Sequence, residues 1–134
     1  MSDFVSFELA KKLKEKGFKE LCLAYYTNDD TLYYNYSHKA GACYKDCYIS
    51  HNLMPKDSVS GKFVDAPTIF QVLKWLREEK KIHVCISYSD NLCSLWDYEV
   101  VLLDGAMYQN SESNFLSYEA AAIAGIEYCL DNLM

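Results

Sequence analysis

The spacing of apolar positions changes period several times along the chain, and each change marks an element. The sharpest change lies between Ala66 and Ser89. Ile69, Val72, Leu73 and Leu76 recur at i, i+3, i+4 and i+7, a helical stripe that Phe70 and Trp75 widen. Pro67 suits the first helical position, where a missing N–H costs nothing, with Asp65 or Ala66 as the cap. Gln71, Lys74, Arg77 and Glu78 fall on the wet side. From Ile82 the period drops to two. Ile82, Val84, Ile86 and Tyr88 then alternate with His83, Cys85 and Ser87, as in a half-buried strand.

A similar order precedes this unit. Phe4–Lys16 reads as a helix capped by Ser6, with Leu9, Ala10 and Leu13 on its stripe. Gly17 ends it in a left-handed conformation, and Phe18 is placed to fold back on the last turn. Glu20–Thr27 and Thr31–Ser37 read as strands around a turn at Asn28–Asp30. FELAKKLKEKGFKELCLAYYT and IFQVLKWLREEKKIHVCISYS align without a gap, helix on helix and strand on strand, which suggests two αββ units.

Beyond the central unit, Leu95–Leu103 reads as a strand with Trp96, Tyr98, Val100 and Leu102 on one face and Asp97 and Glu99 on the other. Asp104-Gly105 signals a turn, and Ala106–Gln109 a short third strand. Ser117 caps a last helix, with Glu119 in its first turn and Ala122, Ile126, Cys129, Leu130 and Leu133 on its buried stripe. Ala120, Ala121, Ala124 and Gly125 keep that helix slim enough to pack closely on a sheet. The expected fold is α+β, three helices packed on an antiparallel sheet in the order α-β-β-loop-α-β-β-(β)-α. It forms one domain: a first αββ unit over 1–37, an irregular loop over 38–65, and a second unit with the terminal helix over 66–134.

Composition sharpens this in two ways. A chain of 134 residues, 51% apolar and 24% charged, has globular values. No apolar run approaches the roughly 20 residues that cross a bilayer, and no charged-then-apolar leader opens the sequence. The expectation is a cytoplasmic protein with no membrane partner. Its six cysteines are then reduced thiols, with Cys22, Cys85 and Cys129 serving as small core residues. The net charge of −6 is unevenly spread: all 13 Lys and Arg lie in residues 1–81, whereas residues 82–134 hold eight acids and neither base. Such asymmetry marks either a solvated acidic face or a surface for a partner.

Two likenesses follow from these stretches. FELAKKLKEKGF, APTIFQVLKWLREEKKIHV and SYEAAAIAGIEYCLDNL together resemble a family of small uncharacterised proteins of Bacteroides-type gut bacteria and their phages. That resemblance covers most of the chain except residues 38–65 and implies no activity or catalytic residue. In topology, residues 66–134 look like a double-stranded-RNA-binding domain. That fold grips phosphates with a basic start to its last helix. Here Ser117–Ala122 contains no lysine, and eight acids repel a duplex backbone, so the likeness extends to the fold and not to RNA binding.

Candidate chemistry is sparse. His38, Cys43, Cys47 and His51 form H-x4-C-x3-C-x3-H, a donor set that suits tetrahedral zinc; free cysteines and solvent-facing histidines are the commoner reading of such spacing. No other cofactor is expected. Seven of the 12 tyrosines fall between Tyr25 and Tyr48. They either cover a sheet, as strand residues do, or present an interface. Tyr26, Tyr34 and Tyr36 are the candidates for the interface. Thr27–Ser37 contains no Lys or Arg, which argues against nucleic acid and for a protein partner. Asp97 and Glu99 are a second candidate pair, set against the ordinary reading of acids on a solvated strand face. His83 has no nucleophile beside it, and five glycines leave little room for a phosphate loop. The sequence points to a non-catalytic binding or accessory protein of phage or mobile-element type. The alternatives are an acidic nucleic-acid mimic that blocks a host protein, or a module with a structural zinc site. A homo-oligomer stays open.

Overall fold

Ser6 starts the first helix. Its hydroxyl accepts the Leu9 N–H at 3.2 Å, and α1 runs over Phe7–Glu15 with Leu9, Ala10 and Leu13 buried. The far end closes as the sequence suggests. Gly17 has φ 94°, the Phe18 N–H donates to the Leu13 carbonyl at 2.9 Å and the Gly17 N–H to Lys14 at 3.2 Å. Phe18 is buried as it folds back. The chain is described by a computed structural model over residues 3–28, 30–34, 63–89 and 95–134. Its fold is mixed α+β, with three helices and two antiparallel three-stranded sheets among the described residues.

The first compact unit spans Met1–Thr68. Its sheet is built from β1 (Ala24–Tyr26), β2 (Leu32–Tyr34) and β3 (Val64–Ala66), in the order β2-β1-β3. Tyr26 faces Leu32 on one side and Val64 on the other; Tyr25 likewise faces Tyr33 and Asp65. α1 packs on β3. This third strand corrects the reading of Asp65 and Ala66 as a helix cap and of Pro67 as the first helical residue. The Val5 N–H donates to the Pro67 carbonyl at 3.0 Å, and Phe4 bridges Thr68. Those contacts hold the segment extended, and the helix α2 starts later, at Ile69–Glu79.

The second compact unit spans Ile69–Met134. The left-handed Lys81 (φ 57°) turns α2 directly into β4 (Ile82–Ser89), which pairs with β5 (Leu95–Leu102). A turn through Gly105 (φ 84°) leads to β6 (Met107–Phe115), and the sheet order is β4-β5-β6. This last strand runs nine residues where the sequence suggested four. Its polar stretch Gln109–Asn114 carries no alternating apolar signal, so the ladder with β5 rather than the side-chain pattern defines it. The Ser117 hydroxyl accepts the Ala120 N–H at 3.0 Å and opens α3 (Tyr118–Asn132), which packs over β4, β5 and β6. A Cβ on Gly125 of α3 would lie 2.6 Å from Val84 Cγ1 and 3.2 Å from Tyr98 Cδ1. The slimness expected of this helix is therefore used to the full.

The helix-facing side of the sheet is apolar: Ile82, Val84, Tyr98 and Val100 are buried against α3's Ala121, Ala122, Ile126, Cys129 and Leu130. Cys22 and Cys129 are core residues as expected, but Cys85 is exposed. It sits on the opposite side of β4 from Val84, so strand alternation turns it outward. Among the described residues, no helix is long and apolar enough to cross a membrane.

Candidate partner-binding surface

The tyrosines of the first sheet divide by strand alternation. Tyr26 is 8% exposed, and its hydroxyl donates to the Val5 carbonyl at 2.7 Å, so it belongs to the core. Tyr25 and Tyr33 point the other way and stack at 5.6 Å, with Phe63 edge-on to Tyr25 at 5.0 Å. Of the other candidates, the backbone of Tyr34 pairs with Ala24. Tyr36 lies outside the described residues. So do His38, Cys43, Cys47 and His51, with the whole suggested zinc cluster. Among the described residues, no group of three or more His, Cys, Asp or Glu is arranged to hold a metal ion.

In the second unit a cluster that sequence spacing does not reveal lies where β4, β5 and the start of α3 converge. Tyr88 is directly opposite Trp96, with ring centroids 5.1 Å apart and edge to face. Trp96 in turn meets Tyr118, the first residue of α3, edge to face at 5.6 Å. Tyr88 is 51% exposed and Tyr118 40%. Leu116 stands just before the Ser117 cap, where an apolar residue commonly folds back onto the first turn; instead it is 87% exposed. Tyr88 shows as a continuation of the apolar face of its strand, and no pattern announces that this face runs past the end of the helix layer.

The outer face of the same sheet carries the two predicted acids. Glu99 is opposite Cys85 and Asp97 opposite Ser87, so both carboxylates stand beside short side chains. Glu99 is exposed and Asp97 half-buried. The structure sets Asp97 and Glu99 on one face of β5; Tyr26 and Tyr34 belong to strands of the first unit.

Burial holds two thiols and one phenol in their protonated forms. Burial pushes the Cys22 thiol far up, and nearby Asp65 and Glu20 add to it; burial also lifts Cys129 to about 12. Thiols held protonated in this way are poor nucleophiles and metal ligands. The Tyr98 hydroxyl, which accepts from Asn110 Nδ2 at 2.9 Å, is pushed up to about 12 by burial and then by the charge of Glu112. No protein-family model, no curated protein and no solved structure matches this chain.

Proposed function

We propose that the chain is a non-catalytic binding protein, an accessory protein of phage or mobile-element type, that captures a basic region of a protein partner on its second unit. The observation that carries this reading is the exposed Tyr88–Trp96–Tyr118 cluster with Leu116, set in a segment of eight acids and no Lys or Arg. Aromatic faces attract Lys and Arg side chains by about 0.5–2 kcal/mol each. A net acidic field raises the local concentration of a basic partner and its rate of encounter. Exposed rings, with an exposed leucine two positions before Tyr118 in the chain, favour a protein over a bare cation. The second unit as a whole holds ten acids against four Lys and Arg, whereas residues 1–68 hold nine of each and provide no comparable field. The phage association rests on the sequence resemblance.

Titrating the protein with an oligolysine peptide, followed by tryptophan fluorescence, tests this. Binding is expected to weaken steeply with salt, and the pair Tyr88→Ser and Leu116→Ser to lower affinity about tenfold, the loss of roughly one such ring contact together with apolar area. Equal affinity for oligoglutamate, or unchanged affinity in the double variant, would sink the reading.

A further inference from the structure

The two edges of the second sheet differ. β4 pairs with β5 over all eight residues without a shift in register, and the Leu103 N–H donates to the Lys81 carbonyl at 2.8 Å. Bonded and non-bonded positions alternate along an antiparallel ladder. His83, Cys85, Ser87 and Ser89 therefore turn their main-chain groups toward β5, while Ile82, Val84, Ile86 and Tyr88 turn theirs away from it. No strand among the described residues takes up that side. At the far edge, β6 is interrupted by register shifts opposite Trp96–Tyr98 and Val100–Val101, and Asn114 has φ 75°. Bulges, prolines and lysines are among the devices by which a strand's own sequence blunts an edge. β6 has the first of these, and Ile82–Ser89 has none.

We propose that β4 accepts an extended segment of the partner protein, with alternating apolar and basic residues, as a fourth strand of this sheet. The inference rests on the basic-partner reading above and adds to it the mode of docking. Main-chain groups of Ile82, Val84, Ile86 and Tyr88 supply the hydrogen bonds, as in other cases of strand addition. The segment's apolar side chains extend the layer of Ile82, Val84 and Ile86. Its basic side chains lie on the outer face, beside Cys85 and Ser87, whose short side chains leave Glu99 and Asp97 within reach. With strands about 4.8 Å apart, those carboxylates stand about 10 Å from the added strand, a span that a lysine and a glutamate bridge together. Tyr88 is both the last outward residue of the edge and the first ring of the aromatic cluster, so the two surfaces are continuous.

The probe is a synthetic octapeptide of alternating valine and lysine, with two isomers N-methylated on alternate residues. Methyl groups on one set of amides block pairing with β4, whereas those on the other set point away from it. One isomer is expected to lose affinity at least tenfold while the other keeps it, and the unmethylated peptide is expected to slow amide exchange at Ile82, Val84, Ile86 and Tyr88. Equal affinity of the two isomers, or exchange unaltered at those four amides, overturns strand addition. If the alternating peptide fails while oligolysine binds, strand addition fails and the basic-partner reading stands. If neither peptide binds, both fail.

Discussion

Among the described residues, the two sheets have the same number of strands but distribute their ladders differently. In the first unit each strand is three residues long, and β1 is joined on one side by its sequence neighbour and on the other by β3, far along the chain. In the second unit strands of eight and nine residues follow one another in order. The αββ order recurs, yet the second strand of the order is an edge in the first sheet and the centre in the second. Similar local patterning is therefore compatible with different pairing, because pairing is decided by which strand arrives from elsewhere. The aromatic clusters differ in a parallel way: Tyr25, Tyr33 and Phe63 sit in a charge-balanced stretch, and Tyr88, Trp96 and Tyr118 in an acidic one.

The contrast can be tested by substitution. Leu130→Ala, in the fully buried face of α3, is expected to cost about 2–5 kcal/mol in chemical denaturation, the range for removing a core leucine. A cost below 1 kcal/mol would show that the helix-on-sheet layer is not the principal core of the second unit. Gly125→Ala places a methyl against Val84 and Tyr98; overpacking of about 1–3 kcal/mol is partly relieved by the roughly 1 kcal/mol that alanine gains in a helix. A stabilised variant would mean that α3 lifts off the sheet without penalty. In the first unit Tyr26→Phe leaves the Val5 carbonyl without its buried donor, at a cost of about 1–3 kcal/mol. No change in melting temperature would indicate that water replaces the hydroxyl there.

Alkaline pH reaches both units. Cys22 and Cys129 have folded pKa values raised above those of the unfolded chain, so folding favours the protonated thiol. Their contribution is complete below the ordinary thiol pKa of 9.0 and declines as pH rises beyond it. Each thiol contributes at most about 1.4 kcal/mol per pH unit to that decline. Replacing Cys129 with alanine should flatten the slope of stability between pH 9 and 12; an unaltered slope would assign it to other groups.

What was legible in the sequence follows from local physics. Ser6, Gly17 and Ser117 act within one turn of chain, and all three perform as their residue types predict. The alternation from Ile82 and from Leu95 extends over eight positions, long enough for a sheet face to show. β3 was missed because three residues carry no measurable period and its partner β1 is about 40 positions away. The candidate surface was half legible. Asp97 and Glu99 share a face through alternation alone, but the Tyr88–Trp96–Tyr118 contact joins three elements and depends on where α3 begins over the sheet. The burial of Tyr26 was not legible, because strand alternation does not state which face the first helix will cover.

The bulges of β6 carry a consequence for stoichiometry. A sheet with two receptive edges can add neighbours indefinitely, since each newcomer presents a fresh edge of the same kind, and the outcome is a fibre. A sheet blunted on one side is a chain terminator. With β6 interrupted twice, two copies of this sheet joined through their β4 strands would have only interrupted edges left, so growth of that kind would stop at two.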